Sequence, residues 1–96
     1  MTKIKRVILD VLKPHTPSII ELSQRLGGLP GISGVNISLE EVDKDTDSVK
    51  ITIEGEDIDY ERVKNTIAEC GAAIHSVDGV SAGMEIIEEV NTPQDR

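Results

Sequence analysis

The chain has 96 residues, a formal net charge of −8 and 38% hydrophobic residues, which suits one small domain with one modest core. Its only aromatic residue is Tyr60, so it has no platform on which nucleic-acid bases or sugars would stack, and its acidic balance opposes binding to a phosphate backbone. A single cysteine, Cys70, excludes an internal disulfide and a multi-cysteine metal site, and no stretch reaches the roughly 18 apolar residues of a membrane-spanning helix.

Residues 4–13 alternate as a strand, with Val7, Leu9 and Val11 on one face and Ile4, Arg6, Ile8, Asp10 and Leu12 on the other. The run Lys13-Pro14-His15-Thr16-Pro17 breaks it. Thr16 followed by Pro17 suits an N-cap with proline at the first helical position; Ser18 with Glu21 offers an alternative capping box. Ile19, Leu22, Leu26 and Leu29 recur at helical spacing, and Gly27-Gly28 end that helix. Val35, Ile37 and Leu39 alternate over residues 35–42. The run Asp43-Lys44-Asp45-Thr46-Asp47 reads as a turn, and Val49, Ile51 and Ile53 then alternate, which completes a hairpin. Asp57 or Asp59 is placed to cap a second helix whose buried stripe is Tyr60, Val63, Ile67 and Cys70, with Gly71 as its C-cap. Residues 72–80 read as a fourth strand. Its faces stay unassigned because Ile74 and Val77 have opposite parity.

The order β-α-β-β-α-β predicts an α+β, ferredoxin-like domain over residues 1–90. The four-stranded antiparallel sheet should run 4-1-3-2 with both helices on one face, and a polar tail should follow at 91–96. The other face carries Ile4, Ile8 and Leu12 among Arg6 and Asp10. Leaving three such aliphatic side chains in water forgoes about 1.5–3 kcal/mol each. Residues Met84 to Val90 are therefore expected to cover them as an extra strand or as an arm reaching a neighbour. Self-association is the other way to cover that face.

Charge is unevenly spread. Glu40 to Glu61 is densely acidic, whereas Lys3, Lys5, Arg6 and Lys13 stand near the N-terminus against Asp10. The asymmetry suits head-to-tail contact between copies and attraction of cations. No N-terminal apolar run with a cleavage site is present, so a cytoplasmic protein is expected.

Three groups of residues are candidates for chemistry. Asp43, Asp45 and Asp47, with Glu54, match the carboxylate spacing of an EF-hand calcium loop, but Ser48 stands where the turn glycine belongs. Along a strand Glu54 would lie about 23 Å from Asp47, at roughly 3.3 Å per residue, and cannot close the same site. What remains is a three-aspartate tip for a divalent cation such as calcium, set against a plain solvated turn. Topology brings Asp10, His15, Cys70 and His75 to one neighbourhood, a donor set for a transition metal without any diagnostic spacing. Asp10 and Asp78 lie on neighbouring strands, where two close carboxylates suit a divalent cation or acid–base work. The plainer reading of Asp10 is an ion pair with Arg6 or with a neighbour's lysine.

Nucleotide-binding, nucleophile-elbow and metalloprotease motifs are missing from the chain. The expected function is thus a non-enzymatic, self-assembling domain that binds an ion or small ligand. The alternatives are a small enzyme with an interface active site using Asp10, His75 or Asp78, and a structural module for protein interaction.

Three stretches, ILDVLKPHTPSIIELSQRL, LPGISGVNISLEEVD and CGAAIHSVDGVSAG, together resemble the mainly archaeal family catalogued as domain of unknown function 211, over residues 3 to 90. The Leu-Lys-Pro-His run at 12–15 and the Ile-His-Ser-Val-Asp run at 74–78 are the most specific parts. The resemblance implies the ferredoxin-like fold and ring-like self-assembly; it implies no activity and no catalytic residue. Leu29 to Val35 is also similar to a segment of heavy-metal-associated domains, but their copper-binding Cys-x-x-Cys has no counterpart in residues 13–17. Ligand-sensing ACT domains share the layout and use a first-loop glycine that this chain lacks.

Overall fold

A computed structural model describes residues 2–89, so the expected tail at 91–96 lies outside the described residues. The elements are β1 (Ile4–Pro14), α1 (Ile19–Gly27), β2 (Ile32–Val42), β3 (Thr46–Gly55), α2 (Tyr60–Glu69) and β4 (Ala73–Ala82). All strand pairs are antiparallel and the sheet order is β2-β3-β1-β4, which is the expected 4-1-3-2 read from the other edge. This is an α+β, ferredoxin-like arrangement. No helix among the described residues is long and apolar enough to cross a membrane.

The period-two pattern sets the core. Val7, Leu9 and Val11 of β1 and Val49, Ile51 and Ile53 of β3 are all buried, and Leu22 and Leu26 of α1 and Val63 and Ile67 of α2 join them in one cluster. β1 and β3 are the central strands, so their apolar face is roofed along its length.

Both helix starts depend on side-chain caps. Ser18 caps α1, its Oγ accepting from the Glu21 amide at 3.2 Å. The alternative capping residue is thus the observed one; Pro17 stands outside the helix and Thr16 does not cap it. Asp59 caps α2 by accepting from the Arg62 amide. At the other end of α2 the C-cap is Cys70, not Gly71. Gly71 follows it at φ 76°, and the amides of Gly71 and Ala72 return to the carbonyls of Ala68 and Ile67. That left-handed step favours glycine because a side chain there strains the backbone.

β4 resolves the parity problem. Its pairing with β1 shifts register between Ile8 and Leu9, opposite Gly79 and Val77, and between Asp10 and Val11, opposite Ser76 and Ile74. Asp78 and His75 are the extra residues of these two irregularities. Each inserts one residue and flips the face of the strand beyond it. Ile74 thereby reaches the core cluster, while Val77 is 46% and Val80 59% exposed on an edge strand.

Two glycines let the start of β2 pass the end of β3. A Cβ on Gly55 would fall on the Gly31 carbonyl, and one on Gly31, at φ 83°, would fall on the Asp57 carbonyl. The backbones touch there because neither residue has a side chain.

Residues 83–89 form neither strand nor helix, which corrects the expectation of an extra strand. They run back as a strap. The Gly83 amide donates to the Lys3 carbonyl and the Ile87 amide donates to Ser81 Oγ. The apolar exposure expected of β1 is also smaller than its sequence suggests. Ile4 is half-buried against the core, Ile8 is half-buried under its neighbours, and only Leu12 is as much as 46% exposed.

Candidate functional site

The sheet face away from the core is mostly polar. Register places Arg6 opposite Glu54, Ile8 opposite Thr52 and Gly79, Asp10 opposite Lys50 and Ser76, and Leu12 opposite Ser48. Ser38 and Asn36 of β2 extend the rows beyond Lys50 and Thr52. Hydroxyls, amides and charges thus surround two aliphatic side chains, Ile8 and Leu12.

At one end β1 closes its core face with Lys13, which shares parity with Val7, Leu9 and Val11. Its side chain is fully buried. The ammonium donates to the Pro14 carbonyl at 2.7 Å and faces Asp47 Oδ2 at 3.5 Å. Asp47 lies directly opposite Lys13 in β3 and its other oxygen meets His15 Nδ1 at 2.9 Å. His15 Nε2 lies 2.8 Å from the Lys44 carbonyl. Both ring nitrogens face acceptors, so the imidazolium, with two N–H donors, satisfies the pair. The Lys44 carbonyl first and the Asp47 carboxylate second raise the His15 pKa above its ordinary 6.5. The β1–α1 loop is thereby tied to the β2–β3 hairpin.

This tie has a pH signature. Its stabilising contribution is complete below the unfolded-state value of about 6.5 and is lost as pH rises through the higher folded-state value. Thermal midpoints of the wild type should decline as pH rises above about 6.5, and the His15→Gln variant should lack that decline. Equal slopes for the two proteins would contradict the assignment. On the acid side Glu56 and Glu88, held low by Lys5 and Arg6, lose their contributions as pH falls.

The expected aspartate tip is not assembled. Asp47 is in β3 and committed to Lys13 and His15, because Thr46 already pairs with Pro14 and the turn closes before it. Asp43 and Asp45 are exposed, and Glu54 is bonded to Arg6. Among the described residues no group of three or more His, Cys, Asp or Glu side chains is placed to hold a metal ion. The Asp10, His15, Cys70 and His75 neighbourhood is likewise split. Cys70 is buried beside Arg25, His15 serves Asp47, and Asp10 and His75 line one cavity of about 220 Å³ with Leu12 and Ser48. Asp78 lines a different cavity and accepts from Ser76 Oγ at 2.7 Å, so it is not paired with Asp10. Nor does Arg6 pair with Asp10.

Arg6 instead holds two other carboxylates. Its Nε donates to Glu54 Oε2 and its Nη2 lies within ion-pair distance of that oxygen, while Nη1 and Nη2 donate to Glu88 Oε1 and Oε2 at 2.8 and 3.0 Å. Both carboxylates raise the Arg6 pKa further. Sequence reasoning passed over Lys13 and gave this arginine Asp10 as a partner in place of Glu54 and Glu88. Parity alone would have placed Lys13 at the end of the core face. Arg6 and Glu54 share the open-face parity, but nothing local marks Glu88 as their partner.

A family model described as DUF211, Uncharacterized ArCR, matches residues 5–96. Uncharacterized protein MJ0319 of Methanocaldococcus jannaschii is 50% identical over 96 residues, covering 100% of this chain and 99% of its own.

Proposed function

The chain belongs to the DUF211 family, and we propose that it is a non-enzymatic, self-assembling domain whose open sheet face holds an ion or small ligand. The observation that carries this reading is the pair of unlike sheet edges, neither of them paired to a further strand among the described residues. β2 leaves Leu39 49% and Val42 61% exposed, and β4 leaves Val77 46% and Val80 59% exposed. An edge strand offers its outward backbone groups as a template for another chain. Because the two edges differ, a contact between β2 of one copy and β4 of the next is head-to-tail, and it ends in a ring where the rotation closes.

Native mass spectrometry with light scattering tests this. The expected result is one closed oligomer of defined mass that carries stoichiometric ion or ligand. Leu39→Lys and Val80→Lys should each weaken it roughly tenfold or more, since either places a charge in every contact. A monomer at tens of micromolar, or an oligomer indifferent to both substitutions, sinks the assembly reading.

A second reading, a small enzyme with a site between copies, has one observation in its favour: Asp10 and His75 share a cavity. A carboxylate and an imidazole there suit proton transfer. Asp10→Asn would then abolish turnover without changing the assembly mass, whereas a change in mass or ion content favours the first reading.

A further inference from the structure

The strap at 83–89 is held to the open face by few contacts. Glu88 grips Arg6 end-on, with Nη1 and Nη2 donating to two carboxylate oxygens. The Ile87 amide on Ser81 Oγ is the neighbouring anchor, and the Gly83 amide on the Lys3 carbonyl marks the turn into the strap. Met84 is 94% and Ile87 69% exposed, so the strap buries little apolar surface. Such two-point pairing of a guanidinium with a carboxylate is a geometry by which arginine recognises carboxylate ligands.

Beside this pair lies a cavity of about 320 Å³, lined by Arg6, Ile8, Lys50, Gly79, Ser81 and Ile87 among others. Gly79 leaves it open, since a Cβ there would stand 3.2 Å from Ile8 Cδ1. Lys50 forms no ion pair among the described residues. Asp78 and Glu89 also line the cavity, which disfavours a polyanion and favours a single negative charge on an apolar stem.

We infer that Arg6 is the seat for a small organic carboxylate with a short alkyl chain, and that Glu88 of the chain's own strap fills this seat until such a ligand displaces it. Glu54 keeps the guanidinium oriented throughout, while the alkyl chain rests against Ile8. The inference rests on the reading of the open face as a ligand surface and not on self-assembly.

Butyrate is the probe, added to the full-length, nitrogen-15-labelled protein at constant ionic strength. Nuclear magnetic resonance follows the Arg6 Nε–H and the amides of Gly79, Gly83 and Ile87. Butyrate should shift these signals, and methyl butyrate, which lacks the charge, should not. Glu88→Gln removes the internal competitor from an exposed position and should tighten butyrate binding roughly fivefold, the advantage an exposed ion pair of this kind sustains. Adding Arg6→Lys, which keeps the charge but loses the fork, should weaken it roughly tenfold. Unchanged affinity in Glu88→Gln, unchanged affinity on adding Arg6→Lys, or no response of these signals in Glu88→Gln overturns the inference. Light scattering on the same samples separates this outcome from that of the assembly reading.

Discussion

Replacing Leu9 by alanine is expected to remove about 2–5 kcal/mol of folding stability, the range for deleting a leucine side chain in a packed core. Leu9 sits midway along central strand β1, has no exposed surface, and lies opposite Ile51 of β3 and Val77 of β4. Strands hydrogen-bonded on both sides cannot collapse into the void, so the cost should fall in the upper part of that range. A domain of this length has about 5–14 kcal/mol in hand, at roughly 0.05–0.15 per residue, and the variant would be close to unfolding. Leu12 is the control. It lies on the same strand but is 46% exposed, and Leu12→Ala should cost less than about 1 kcal/mol. Urea midpoints at unchanged slope read both values. Equal losses at the two positions would show that the core is not centred on this face of β1.

Lys13→Ala is expected to cost about 2–4 kcal/mol, more than any exposed lysine. The stem of Lys13 fills space at the end of the core, and its ammonium satisfies the Pro14 carbonyl while it faces Asp47. Alanine leaves a void and removes the donor together. Lys13→Met keeps most of the volume and should recover about half of the loss, which isolates the polar part. The double variant Lys13→Met with Asp47→Asn should cost less than the sum of the two single changes, because the partners share one network. Strict additivity, measured by chemical denaturation, would show that Lys13 acts only by filling space. The same node carries His15, so the predicted loss of stability with rising pH should be altered in Asp47→Asn as well.

Several elements were legible from residue order because their causes are local. Alternation in β1 and β3 names the buried face of each. The spacing of Leu22 and Leu26, and of Val63 and Ile67, names the buried stripe of each helix. The cap at Ser18 was open between two local patterns, and the hydrogen bond to the Glu21 amide decided it. β4 was not legible in the same way. Two extra residues, His75 and Asp78, break its alternation, and only pairing with β1 shows where the face flips. The aspartate run at 43–47 reads as a single turn until Thr46 pairs with Pro14. That pairing moves Asp47 into the strand and gives it to Lys13 and His15.

Residue order by itself thus determined the element sequence and the apolar faces of β1, β3 and both helices, since these follow from periods of two and about 3.6 within short windows, while the expected sheet order came from the repeated β-α-β layout and its right-handed crossovers. Tertiary structure alone decided which charges meet. Lys13 and Asp47 are 34 positions apart, and Arg6 and Glu88 are 82. The physical reason is that an ion pair requires two side chains to converge within a few ångströms. That convergence is set by strand register and by the path of the strap, and no local period encodes either.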